Sequence, residues 1–286
     1  MSAMPSRCRG PEEKIMVSRI QPSSGWATID LPELWQHREL LLHLVWRDIR
    51  MLFRNTGLGI LWIVLQPLLI VVVTTLVLGL FVRVPTNGIP YPVVVLSGLV
   101  LFQYFSTAVL LGASSMVGNA YLLSKVYFPR LIIPCVPILT SLVDFIVLLV
   151  VLLVVTMVYG LMPRLSWFVL PVPILINILL ALGMSLWLSA LNIQFRDVSK
   201  FIPVMFQVGI YASPIFYLSN LVPEKWYLIY ALNPMVGLID SFRWALLGQG
   251  AFPGSALMIS LIAALFISIT GTFVFRRMEE NAADII

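Results

Sequence analysis

One carboxylate stands inside an apolar run: Asp144, in "LTSLVDFIVLL" (139–149). A charged side chain at the centre of a hydrocarbon layer costs about 2.5–3.5 kcal/mol on insertion scales, so Asp144 has to face protein or water. Two roles fit it: a proton or cation site, or a hydrogen-bonding group toward a neighbouring helix, held in its protonated form. No second acid and no base shares its run, whereas ion-coupled carriers gather several such groups beside Gly/Pro-interrupted segments repeated in two halves. A second candidate is the polar interruption "NAYLLSKVYFPRLIIP" (119–134), where Lys125 and Arg130 frame Tyr127 and Phe128 and follow Tyr121. A third is "NLVPEKWYLIYALNPMVGLIDSFRWALLGQG" (220–250), with Trp226, Asp240, Arg243 and Trp244. Asp240 and Arg243 are three apart, close enough to pair on one helix face.

Aromatic residues are the remaining surplus. Trp62, Phe102, Phe105, Phe206, Tyr211 and Phe216 lie within or near apolar runs. Many such residues belong to the aromatic belt of a membrane interface. The same rings also offer apolar platforms with polar rims, which suit a moving sugar chain. Phe102 and Phe105 can share a face, while Phe206, Tyr211 and Phe216 step by five and spiral, so no uniform stripe results.

Other chemistry is missing. There is no GxxxxGK[ST], and none of the four lysines follows a glycine, so the chain has no phosphate-binding loop of its own. His37 and His43 point to different sides of any helix, and Cys8 and Cys135 lie far apart without CxxC spacing, which predicts neither a metal site nor a disulfide framework. GxSxG and HExxH are absent too, so the chain is expected not to be an enzyme.

The elements that must position these groups follow from composition. Sixty per cent of the 286 residues are hydrophobic and 11% charged, with a mean hydropathy of +0.98; soluble domains carry about 25% charged residues. The natural solvent is lipid. The net charge of +5 comes from residues scattered at the ends of apolar runs, not from a clustered basic face, so no nucleic-acid partner is expected. A membrane helix needs about 20 apolar residues, and six runs qualify: 57–82, 91–117, 132–160, 168–193, 198–219 and 254–275. Residues 220–252 are too broken by Pro223, Pro234 and charges for a simple span; two short helices split at Asn233-Pro234, dipping in on the outer side, fit better. Fourteen Lys and Arg fall on the side of the two termini and four (Arg83, Arg164, Lys225, Arg243) on the other. By the positive-inside rule both termini and the 119–134 stretch are cytoplasmic.

Residues 1–31 are polar and proline-rich, without the apolar core of a signal peptide, and read as a flexible cytoplasmic tail. Residues 32–54 place Leu34, Leu41, Val45, Ile49 and Leu52 on one helix face and Gln36, Glu39, His43, Arg47, Arg50 and Arg54 on the other. This predicts an interfacial helix with its apolar face in the headgroup boundary and its arginines toward lipid phosphate or a partner. The fold class expected is all-α integral membrane: this interfacial helix, then a six-helix transmembrane domain over 55–286 that includes the split outer segment.

Several stretches, in this order, resemble the membrane permease subunits of type-2 ABC exporters, in particular the polysaccharide-export branch that serves O-antigen, teichoic acid or capsule. They are "RDIRMLFRNTGLGILWIVLQPLL" (47–69), "SKVYFPRLIIP" (124–134), "NIQFRDVSKFIP" (192–203), "NPMVGLIDSFRWALLG" (233–248) and the closing "FRRMEENAADII". The resemblance implies a homodimer in the bacterial inner membrane, paired with two copies of a separate ATPase that binds ATP and Mg, and exporting an undecaprenyl-linked glycan such as an O-antigen. It also implies that the first cytoplasmic loop is a coupling helix seated in the ATPase. Tyr121, Tyr127 and Phe128 would then fill a pocket on that partner, and Lys125 and Arg130 would meet its acids. The outer segment with Trp226, Asp240, Arg243 and Trp244 would gate the channel mouth. Two alternatives stay open: an ion-coupled carrier centred on Asp144, and an ABC exporter of a drug or small lipid.

Overall fold

The computed structural model describes residues 35–54, 61–121, 128–161, 164–195, 197–248 and 250–282. Among these the chain is helical, with no strand. Helix α1 (Arg38–Arg54) precedes α2 (Leu61–Thr74), which a π-helical turn extends over Thr75–Phe81. Then come α3 (Tyr91–Gly118), α4 (Ile132–Val158), α5 (Pro171–Gln194) and α6 (Val198–Ala212). Two short helices, α7 (Glu224–Ala231) and α8 (Pro234–Leu247), lead into α9 (Gly254–Ala282).

Among the described residues five segments are long and apolar enough to cross a bilayer: 61–81, 91–118, 132–158, 165–194 and 254–278. The sixth expected span, 198–219, is shorter than its apolar run. Helix α6 stops at Ala212 because Pro214 offers no backbone donor and biases Ser213 toward extended backbone, which it adopts (φ −109, ψ 152). Its 15 residues rise about 22 Å, against a hydrocarbon layer of about 30 Å.

Helix α3 is the axle of the bundle. Its N-terminal part, Val93 to Leu101, is buried on every face, with α4 and α5 packed along α3. Lipid provides no hydrophobic drive between helices, so contact depends on close approach and on interhelical hydrogen bonds. Both occur. The Asn177 and Asn192 amides on α5 donate to the Leu101 and Ala113 carbonyls of α3, each at 3.0 Å. Tyr104 donates to the Ile138 carbonyl of α4. On the other side of α5, Gly183 lets α9 press in so closely that a Cβ there would lie 2.6 Å from the backbone Cα and N of Ser268.

Helix α1 packs on the start of α4. The sequence places its Leu41–Val45–Ile49 face in the headgroup boundary; the structure turns that face onto protein. Val45 is buried with Phe128, Ile132, Ile133 and Val136, and Leu40, Leu41, Leu44 and Ile49 pack around them. Trp35, Leu42 and Trp46 face outward instead. A helical apolar stripe specifies that a face is covered, not by what.

Candidate functional site

A densely bonded polar site lies where α8 meets α3 and the turn after α6. Asn233 caps α8, its side-chain oxygen accepting from the Met235 amide at 3.0 Å, with Pro234 pre-set for the first turn. Gly248 ends the helix in left-handed backbone (φ +62). Between these caps Arg243 is only 4% exposed. Its Nε donates to Ser97 Oγ (3.1 Å), Nη1 to the Tyr217 carbonyl (3.1 Å), and Nη2 to the carbonyls of Val94 (2.7 Å) and Ile215 (3.0 Å). The turn can approach α3 this closely because residue 98 is glycine: a Cβ there would sit 2.9 Å from the Ile215 Cα. Tyr91 adds a hydrogen bond to the Phe216 carbonyl at 2.9 Å.

The expected Asp240–Arg243 pairing is therefore corrected. Among the described residues no ion pair joins them; the guanidinium fork turns to four acceptors on α3 and the 215–217 turn. Five rigidly arrayed donors suit several carbonyls better than one carboxylate. The two charges still feel each other: burial pushes the Asp240 carboxyl above its ordinary range, while Ser219 and the Arg243 charge pull it down. Burial likewise lowers Arg243 to about 10, opposed first by Asp240, so it stays charged at neutral pH. The α7–α8 corner is tied back to the end of α6, because Asn233 Nδ2 donates to the Ala212 carbonyl and Ser213 Oγ, both at 3.1 Å. Tyr230 and Tyr217 join through their hydroxyls at 3.1 Å. Trp226 stands 56% exposed on α7. Trp244 packs edge-on to Phe252, 4.8 Å between centroids, and donates to the Gly250 carbonyl.

The aromatic residues named from sequence divide into two groups. Phe102, Phe105 and Phe206 are buried against one another edge to face, with centroids 6.2 Å apart for Phe102–Phe206 and 5.5 Å for Phe105–Phe206. They join α3 to α6 and line no open path in a single chain. Trp62 and Tyr211 are exposed, and Phe216 is covered by its contact with Tyr211 at 5.7 Å.

Of the loop residues, Tyr121 projects outward at 72% exposure and Arg130 is half-buried. Lys125 and Tyr127 lie outside the described residues. Phe128, expected to fill a partner's pocket, fills one in its own chain, between α1 and the start of α4. Helix α1 also reaches the end of α3: Arg47 bonds Asp48 at 2.9 Å and Asn119 Oδ1 at 3.5 Å. Asp144 is half-buried, and its buried Oδ1 has no hydrogen-bond partner among the described residues. Sequence reasoning missed Ser97, Gly98 and the 213–217 turn. Their signal was faint: a Ser-Gly step in an apolar run and a Ser-Pro at 213–214.

Comparison with known proteins gives a consistent result. The family model described as ABC-2 type transporter matches residues 39–247. The chain is similar to the O-antigen export system permease protein RfbA of Myxococcus xanthus, 33% identical over 258 residues that cover 89% of this chain and 98% of the relative. A protein of the same name from Klebsiella pneumoniae is 29% identical over 249 residues, 87% of this chain and 95% of the relative. The polysialic acid transport protein KpsM of Escherichia coli is 23% identical over 237 residues, 82% and 91% respectively.

Proposed function

The chain belongs to the ABC-2 type transporter family, and from that premise we propose that it is the permease subunit of an ATP-driven exporter. Its cargo is a lipid-linked polysaccharide of O-antigen type, moved out of the cytoplasmic leaflet of a bacterial inner membrane. The observation that carries this is the near full-length likeness to relatives named as O-antigen export permeases, one of them matched over 98% of its length. An undecaprenyl carrier is part of this reading, as the resemblance of the sequence to polysaccharide exporters implies.

A homodimer and two ATPase subunits complete the assembly. Support for the dimer comes from α2 and α6, whose outer faces are open in one chain; Trp62, Gln207 and Tyr211 lie on them. Gln207 is costly against lipid and suits a wet path between two copies. ATP and Mg belong to the partner, because this chain has no phosphate-binding loop. The 119–130 stretch is its handle, with Tyr121 presented outward. Both termini are cytoplasmic, supported by the fourteen-to-four distribution of Lys and Arg. On the outer side α8, anchored by Arg243, is the fixed half of the gate, and α7 with Trp226 the movable half.

The experiment is deletion of the gene followed by complementation in a strain that makes a surface polysaccharide. Loss of surface polymer, with lipid-linked polymer accumulating inside, is expected. An ATPase partner mutated in its phosphate-binding lysine must reproduce the phenotype. Unchanged surface polymer together with lost efflux of a small lipid or drug would refute the cargo class.

A further inference from the structure

Phe128 lies near the end of the stretch that holds the ATPase, yet its ring is only 6% exposed. It shares one buried cluster with Val45 of α1, Met116 of α3, Ile132 of α4, Leu186 of α5 and Phe275 of α9. Five helices therefore meet where the stretch ends. Its beginning is tied down too: the Asn119 amide donates to the Ser115 carbonyl at 2.9 Å, and its oxygen accepts from Arg47 of α1 at 3.5 Å. Packing around Phe128 is incomplete. A cavity of about 20 Å³ borders it, with Leu44 and Arg47 on the α1 side and Ile133, Val136 and Pro137 on the α4 side. That is room for about one water molecule or methyl group, in a kind of interior that tolerates few voids. Pro137 has no N–H to give the Ile133 carbonyl, so the α4 wall lacks one helical hydrogen bond at this point. A ring beside such a space has a second position open to it, and packed interfaces switch between discrete arrangements rather than deform continuously.

Helix α9 is the element that would carry the switch outward. Its 29 residues rise about 43 Å, the depth of a bilayer with its headgroups, and Phe275 sits near its end. Along α5 it has no slack, since a Cβ on Gly271 would lie 2.5 Å from the Gly183 carbonyl. At its other end it presses on α8. Gly237 meets the Ala256 carbonyl with no room for a side chain, and Ser260 donates to the Pro234 carbonyl at 2.7 Å. A shift at Phe275 thus reaches the helix that Arg243 anchors. We infer that Phe128 is a positioning residue: it passes movement of the 119–130 loop to α9 by shifting into the cavity beside it, and α9 carries that movement to α8. The inference rests on the permease reading, which supplies the ATPase that moves the loop.

The test fills or widens the cavity in the full-length chain, expressed with its ATPase in a strain deleted for the gene. Val136→Ile adds a methyl group from α4, and Leu44→Phe fills the same space from α1. Both should keep ATPase co-purification, ATP hydrolysis by the purified complex and the midpoint of unfolding in dodecyl sulfate. Surface polymer should fall about fivefold or more, the shift expected when one of two packed arrangements is overfilled. Ile133→Val widens the cavity and should do the opposite, lowering the midpoint while surface polymer stays near wild type. A merely structural role reverses that order and makes Ile133→Val the poorest exporter of the three. Wild-type surface polymer from both filling variants, or polymer that follows the midpoint across all three, overturns the inference and leaves the permease reading standing. A wild-type chain that does not restore surface polymer to the deletion strain overturns both.

Discussion

Arg243→Ala separates a hydrogen-bonded clamp from an ion pair. Removing the guanidinium leaves four former acceptors, but not all are orphaned. The Val94 carbonyl keeps the Ser97 hydroxyl, which donates to it at 2.9 Å, and Ser97 is satisfied by that same bond. The carbonyls of Ile215 and Tyr217 lose the side-chain donor that holds them. A buried acceptor left unpaired costs about 1–3 kcal/mol, in full for Ile215 and only in part for the half-buried Tyr217, which gives destabilisation of at least about 1–3 kcal/mol. Arg243→Lys keeps the charge but not the fork, so it should fall between wild type and alanine. Asp240→Asn should cost far less than Arg243→Ala, because no hydrogen bond of the clamp runs through Asp240. The measurement is reversible unfolding of each purified variant in mixed lipid–detergent micelles on adding dodecyl sulfate. Equal losses for Asp240→Asn and Arg243→Ala would mean that the carboxylate, not the carbonyl cage, holds Arg243, and the clamp would be refuted.

Gly183→Ala sets a Cβ 2.6 Å from the Ser268 backbone, where no side chain can rotate aside; overpacking of this kind costs about 1–3 kcal/mol, and a dodecyl sulfate midpoint unchanged from wild type would contradict the α5–α9 contact. Tyr121→Ala with Arg130→Ala should abolish co-purification of the ATPase while leaving the unfolding midpoint near wild type. Phe128→Ala should do the reverse first, lowering stability by about 3–5 kcal/mol as a buried aromatic is lost; binding retained by the first variant would remove the loop from the coupling role. Asp144→Asn should keep most export, since the amide needs no counter-charge in the membrane. Lost export from a well-inserted Asn variant, with sensitivity to the proton gradient in wild type, would favour the ion-coupled carrier.

The long apolar runs were enough to place the spans, because a bilayer accepts only segments that satisfy their own backbone hydrogen bonds over about 20 residues. Pro234 behind Asn233 was enough to place the start of α8, since a proline without an N–H belongs in a first turn and an Asn before it can cap that turn. Local chemistry of this kind is written along the chain. What Arg243 would bond was not: its acceptors on α3 stand 146 and 149 residues away, and the carboxylate three positions off was the nearer partner in sequence. The early end of helix α6 was legible in Pro214, which stops it; what the sequence did not show is where the turn goes next, because Asn233 and Arg243 hold it from helix α8. The same limit explains Phe128 and why the apolar face of α1 meets protein where a headgroup boundary was expected. Apolar periodicity reports that a surface avoids water, and lipid, a partner and the chain's own bundle avoid it equally well. Only the packed structure, by bringing α1 onto the start of α4, decided which of them each face would meet.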